Sequence, residues 1–272
     1  MNSKRKESVS LILAAGRGSR MKGYKGNKSL LPLVPVQSPY KGRHAIIVNI
    51  LANLPPGPRA VVINHGKKDI IEATKGLHVY YCEQPVLNGT GGALLAARQF
   101  IREQTCERII ITMGDVPFVK RSSFDALLEK LEKNSIVVLG FRPESKKQYG
   151  VLEIEEAKVR KIIEWKYWKE FSDERIESLR VCNSGIYAAR KDLLLRYLDI
   201  LESHPHLVRK QIKGEIREFE EFFITDMVGY MNADGLPVGY LNVEDENEVM
   251  GIDDPEALEK AQAVFASQSQ RL

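Results

Sequence analysis

Apolar residues along this chain gather in short runs that end in glycine or polar clusters, and helical spacing fills the intervals. Residues 9–15 read Val-Ser-Leu-Ile-Leu-Ala-Ala and stop at Gly16, which predicts a buried strand feeding a loop. Runs of the same kind occupy 60–64, 79–82, 109–113 and 135–140. Between them Phe124, Leu127, Leu128 and Leu131 recur at helical spacing, with Ser122 or Ser123 in position to cap. Thr90 stands in the same position before an Ala/Leu-rich helix over 91–101. Strands alternating with helices in this way predict an α/β fold, a mostly parallel sheet with helices on both faces.

After Gly140 the rhythm changes. Residues 149–154, 159–165 and 182–188 read as strands without long crossover helices, so a small antiparallel subregion is expected. The charge-dense stretch 166–180 reads as an exposed helix or flap, 191–203 as a helix, and 204–221 as a strongly charged surface element. Asp254 followed by Pro255 marks the cap and first residue of a last helix running to about 267. No internal repeat interrupts this plan.

With 43% hydrophobic residues in 272, the chain can bury the core of one large domain. Lysine and arginine number 40 against 36 acids, a net +4 that marks neither a nucleic-acid coat nor a membrane-surface protein. The three cysteines, Cys82, Cys106 and Cys182, show no metal or disulfide spacing and read as inert thiols. The apolar run after the polar N-terminus is too short for a secretion signal or a membrane span. A soluble, cytoplasmic protein is expected.

Where the positive charge sits is more informative. Leu13-Ala14-Ala15-Gly16-Arg17-Gly18-Ser19-Arg20-Met21 follows the first strand directly, and small residues at a strand-to-helix turn let backbone approach a phosphate chain. From Arg17 to Lys28 the loop carries Arg17, Arg20, Lys22, Lys25 and Lys28 and no acid. The third glycine of a dinucleotide fingerprint would fall on Met21, and no G-x-x-x-x-G-K-[ST] occurs. Asp115, in Gly114-Asp115-Val116-Pro117 at the end of a strand, suits a metal ligand. His65, His204 and His206 have no ligand spacing, and Trp165, Tyr167 and Trp168 read as packing residues.

The glycine loop with Lys28 resembles the signature of sugar-phosphate nucleotidyltransferases. Further blocks follow in the family's order: Gln84 with Asn88-Gly89-Thr90-Gly91-Gly92-Ala93, the Asp115 turn, Tyr149-Gly150-Val151, Ile163-Glu164, Asn183-Ser184-Gly185-Ile186-Tyr187, Glu221-Phe222-Phe223-Ile224-Thr225-Asp226, and Glu248-Val249-Met250-Gly251-Ile252-Asp253. The pattern is most similar to the uridyltransferase half of the bifunctional N-acetylglucosamine-1-phosphate uridyltransferases, and it covers almost the whole chain. It implies a single Rossmann-like nucleotidyltransferase domain, with a nucleotide-binding half to about 140, a sugar-binding half over 141–253, and a C-terminal helix and tail over 254–272.

The resemblance also implies roles. Arg20 would face the departing pyrophosphate, and Lys28 the α-phosphate or the sugar phosphate. Leu13, Ala14, Ala15, Gly16 and Gly18, with Gln84, Gly89 and Thr90, would bind the nucleotide. Gly150, Glu164 and Asn183, with Lys166 beside them, would bind the sugar, and Asp115 and Asp253 would hold Mg²⁺. The expected reaction joins a nucleoside triphosphate, UTP first, to a sugar 1-phosphate, N-acetylglucosamine 1-phosphate or a related hexose 1-phosphate. No nucleic acid or membrane takes part, and a monomer or small homo-oligomer is expected. Three features depart from the pattern: Asp253 stands where the uridyltransferase has Asn, the segment before Glu221 is longer and more charged, and the 272 residues hold no hexapeptide repeat for a left-handed β-helix, so no acetyltransferase activity is expected. The alternatives are a cytidylyl- or cofactor-nucleotidyltransferase, and a catalytically silent nucleotide-sugar sensor.

Overall fold

β1 (Val9–Leu13) is buried along its whole length. Val9, Leu11 and Leu13 enter one apolar cluster and Ile12 the other, the two-residue alternation of a strand inside a sheet covered on both faces. The computed structural model describes residues 7–18, 20–212 and 215–269. Ser19 of the glycine loop, and parts of the segments 1–8, 204–221 and 254–272, lie outside them.

After β1 come β2 (Pro32–Val36), β3 (Ser38–Ala45), α1 (Ile46–Asn53), β4 (Arg59–Ile63), α2 (Lys67–Ala73), β5 (Tyr80–Glu83), α3 (Gly89–Glu103), β6 (Arg108–Met113), α4 (Arg121–Lys130) and β7 (Ile136–Phe141). The remainder holds β8 (Val151–Glu155), β9 (Lys158–Ile163), α5 (Trp165–Trp168), α6 (Asp173–Ser178), β10 (Cys182–Arg190), α7 (Lys191–Glu202), β11 (His206–Ile212), β12 (Glu215–Glu221), α8 (Ile224–Ala233), β13 (Val238–Val243) and α9 (Pro255–Ser269).

The main sheet runs β13-β7-β10-β6-β1-β4-β5, with β8 joined to β10 and β9 to β8. β6, β1, β4 and β5 are parallel neighbours, and β13 is parallel to β7. β10 enters antiparallel between β6 and β7. Leu94 and Phe100 of α3, Tyr197 of α7 and Met227 of α8 cover one face; Ile47 of α1, Phe124 of α4 and Leu258 of α9 cover the other. This is the mixed, mostly parallel α/β sheet that the alternating pattern predicts.

Local readings fare unevenly. Asp254 does cap α9, its Oδ1 accepting from the Ala257 amide at 2.9 Å. Neither Ser122 nor Ser123 caps α4, which starts at Arg121; the Lys120 amide instead donates to the buried carboxylate of Glu248 at 3.1 Å. Thr90 lies inside α3, and its hydroxyl accepts from the Ile224 amide at 3.2 Å, at the start of a different helix. Residue 165 opens α5 rather than ending a strand, and the indole of the buried Trp168 donates to the Tyr149 carbonyl at 2.8 Å. The β2–β3 hairpin escapes a hydrophobic reading because its strands carry Pro32, Pro35, Pro39 and Gly42 and are largely exposed. Within the charged stretch 204–221, β11 and β12 pair as an antiparallel ribbon separate from the main sheet.

Candidate active site

Parallel strands deliver their C-terminal ends to one edge, so the loops after β1, β4, β5 and β6 meet there. They line a cavity of about 800 Å³ bounded by Leu13, Ala14, Ala15, Gly16, Arg17, Gly18, Arg20 and Lys28, by Gln84, Gly89 and Thr90, and by Asp115 and Asp253. The expected nucleotide residues, Arg17, Arg20 and Lys28 of the five loop cations, and both expected metal residues thus face one space, which Lys22 and Lys25 do not line.

Lys28 is held in a built position. The buried Asn27 donates through Nδ2 to the carbonyls of Ala14 at 2.7 Å and His65 at 2.8 Å, and its Oδ1 accepts from the Ser29 amide at 2.9 Å. That side chain staples the loop after β1 to the loop after β4 and shapes the short turn presenting Lys28. Gly18 lies over the lysine stem with φ +61°, where a Cβ would stand 2.5 Å from Lys28 Cγ. Nothing in the sequence singled out Asn27 beyond its adjacency to Lys28; its buried triple bonding is a tertiary property.

The Lys28 ammonium donates to Asp115 Oδ2 at 2.5 Å and to Asp253 Oδ1 at 2.7 Å, and Arg20 pairs with the same Asp253 oxygen at 2.9 Å. Burial disfavours the ammonium, but the two carboxylates outweigh it and hold the Lys28 pKa above its ordinary value. The carboxylate loops are tied to each other, since the Ile252 amide donates to the Asp115 carbonyl at 2.9 Å. Glu248 anchors the second loop by taking both the amide and, at 3.2 Å, the ammonium of Lys120. Two carboxylates converging on one cation form a hard oxygen donor set of the kind magnesium takes, with water and phosphate completing its shell. Among the described residues no group of three or more His, Cys, Asp or Glu could hold a metal.

At the far end of the cavity Gln84 is 3% exposed. Its Nε2 donates to Asn88 Oδ1 at 3.0 Å and to the Gly89 carbonyl at 3.2 Å, which aims the carboxamide and leaves Oε1 for a donor on a ligand. Gly89 has φ +93°, and a Cβ there would stand 2.3 Å from the Phe222 carbonyl oxygen, so only glycine fits this approach.

The expected sugar residues form a neighbouring group outside that cavity lining. The Asn183 amide donates to the Gly150 carbonyl at 2.8 Å, and a Cβ on Gly150 would lie 3.6 Å from Glu164 Oε2. Asn183 sits where β10 shifts register against β7; its Nδ2 donates to the Tyr187 hydroxyl at 2.8 Å and its Oδ1 accepts from the Gly185 amide at 3.0 Å. Full burial pushes the Tyr187 hydroxyl well above its ordinary pKa, so it stays protonated and a hydrogen-bond donor. Met113 connects the two regions, lining the cavity and lying 3.0 Å from a Cβ placed on Gly185. The Lys166 ammonium lies 4.7 Å from the Tyr167 ring centre and 5.5 Å from that of Phe223.

The chain's sequence matches the model of the MobA-like NTP transferase domain over residues 10–222. The bifunctional protein GlmU of Sulfurimonas denitrificans is 30% identical over 270 residues, covering 96% of this chain and 54% of its own. That of Rhodopseudomonas palustris (strain BisB5) is 32% identical over 266 residues, covering 95% and 52%. The chain therefore spans about half the length of the curated relatives it matches. Among solved structures it is similar to a uridine diphosphate N-acetylglucosamine pyrophosphorylase from Trypanosoma brucei, with a TM-score of 0.70 at 14% identity over 95% of this chain and 65% of that one. A nucleotidyl transferase from Methanothermobacter thermautotroptrophicus gives 0.63 at 18% identity, covering 96% and 99%. Both share the fold. No helix among the described residues is long and apolar enough to cross a membrane.

Proposed function

The chain belongs to the MobA-like NTP transferase family, and from that premise we propose that it transfers the nucleotidyl group of UTP to a sugar 1-phosphate, of which N-acetylglucosamine 1-phosphate or a related hexose 1-phosphate is the expected acceptor. A phosphate oxygen of the sugar attacks the α-phosphorus, the bond to the β-phosphate oxygen breaks, and pyrophosphate leaves. The observation that carries the reading is the convergence of Lys28, Arg20, Asp115 and Asp253 at one end of a cavity whose other end holds Gln84, Gly89 and Thr90.

Such a reaction asks the protein for positioning and charge rather than for covalent chemistry. Lys28, released from its carboxylates, is long enough in reach to meet the phosphate chain at the point of attack. Arg20, with its side chain 60% exposed, is free to follow the charge that grows on the leaving pyrophosphate. Asp115 and Asp253 would hold Mg²⁺, which when bound supplies positive charge to the phosphate oxygens. Gln84 Oε1 suits the N3–H of uracil, whereas cytosine in the same pose presents an acceptor at N3 and leaves the buried Oε1 unpaired. Gly150, Glu164 and Asn183 form the acceptor end, with Met113 between the two substrates.

The test is pyrophosphate release from each of four nucleoside triphosphates against a panel of sugar 1-phosphates. Release that needs Mg²⁺ and an acceptor together, and is fastest with UTP, is the expected result. Tighter binding of ATP or GTP than of UTP would reject uracil recognition, and tight binding of a nucleotide sugar without any release would favour a silent sensor.

A further inference from the structure

The ribbon β11–β12 is a two-stranded sheet of its own, and among the described residues it pairs with no strand of the main sheet. Its register sets Val208 opposite Phe219 on one side and Leu207 opposite Glu220 on the other. Leu207 and Ile216 are exposed, at 65% and 74%. Of residues 215–220 only Phe219 is partly covered, and it lines the cavity that holds Gln84, Gly89 and Thr90. Gly150, Glu164 and Asn183 do not line that space, and the position of the ribbon's foot sets Phe219 at its nucleoside end. The foot of the ribbon is bonded to that same end: the Phe222 amide donates to the Asn88 carbonyl, and the Gly91 amide to the Phe222 carbonyl, each at 2.8 Å.

A two-stranded ribbon gains little stability from itself, so its pose depends on its foot and on what its side chains touch. Gln84 addresses the edge of a base and leaves the flat face to apolar neighbours. We propose that Phe219 is a nucleotide-binding residue whose ring stacks on the nucleobase, carried there by the ribbon. This rests on the nucleotidyltransferase reading above. Stacking is tolerant of base identity because every base has a π face. Phe219 therefore contributes affinity for the nucleoside, while Gln84 contributes the choice of base.

Titrations of UTP and of inorganic tripolyphosphate, each with Mg²⁺, into wild type, Phe219→Ala and Phe219→Trp test the assignment. Phe219→Ala should weaken UTP about tenfold or more, the scale of one lost base–aromatic stack, and leave tripolyphosphate unchanged. Phe219→Trp should keep UTP affinity and add emission to that of Trp165 and Trp168, and the added part should be quenched as UTP binds. Unchanged UTP affinity in Phe219→Ala, or equal losses of UTP and tripolyphosphate, overturns the proposal, as does a Phe219→Trp emission that UTP changes no more than it changes that of wild type. The comparison uses whichever of the four triphosphates wild type binds tightest. A preference for another base therefore overturns the uridyl reading, while the Phe219 ratio is still decided on that nucleotide.

Discussion

At the scale of single residues, the ammonium of Lys28 stands between Asp115 and Asp253, where a divalent cation would be held. Removing either carboxylate takes away a preorganised charge, so Asp115→Ala should slow pyrophosphate release by ~10²-fold. Asp253 admits a graded test, because Asn keeps an oxygen at the same reach and gives up one charge. Asp253→Asn should remain active with a higher Mg²⁺ requirement, whereas Asp253→Ala should fall about as far as the Asp115 variant. Wild-type metal dependence in Asp253→Ala would return that residue to the start of α9. Arg20 differs in burial: its side chain supports no core. Arg20→Ala should therefore lose rate sharply while its stability stays within about ±0.5 kcal/mol. Arg20, Lys28 and Asp115 were legible because cations among glycines, and an acid at a strand end, are local signals; Asp253, ten residues beyond the end of β13, entered only through the resemblance of the last motif block. Asn27 was not legible, since its three bonds reach residues that only folding brings near.

At the scale of elements, the nucleoside end is where a loop, a helix and a ribbon share backbone bonds. Gly89 opens α3 in a left-handed conformation pressed against Phe222, so a side chain there strains the backbone and pushes the ribbon foot away. Gly89→Ala should cost on the order of 1–3 kcal/mol of stability and weaken UTP binding in the same variant, measured by thermal unfolding and titration. Loss of stability with unchanged UTP affinity would separate that turn from the site. Thr90 shows how an element-level reading goes astray. Its position suggests a cap for its own helix, but its hydroxyl joins α8, a partner invisible until the two helices pack. The ribbon was equally hidden, because a strand pair with charged residues on both sides carries no hydrophobic alternation.

At the scale of the whole molecule, the buried acids set how the fold responds to alkali. Burial pushes the Cys182 thiol up to about 12 and raises Cys82 and the Tyr187 hydroxyl as well. Above about pH 9 an unfolded chain releases these protons and the folded one keeps them, so the unfolded state binds fewer and stability falls as pH rises. Unfolding midpoints should hold steady from pH 7 to about 8.5 and decline beyond. Cys182→Ala should soften the first part of that decline, and the native Cys182 should resist alkylation near pH 8 while unfolded chains react. A midpoint insensitive to alkali would contradict the burial of these groups.

The sequence by itself determined the strand runs, the alternation with helices, the glycine loop with its five cations and the order of the motif blocks. All of these are properties of neighbouring residues: run length, side-chain period, and the backbone freedom and charge of a few adjacent positions. Tertiary structure decided what those residues touch. It brought Asp253 to Lys28 across 225 positions, turned Asn27 into a staple, laid Glu248 under the second carboxylate loop and hung Phe219 over the cavity. The physical reason is the sheet. Parallel strands carry distant loops to a common edge, and the contacts made there depend on strand order and register rather than on any local spacing.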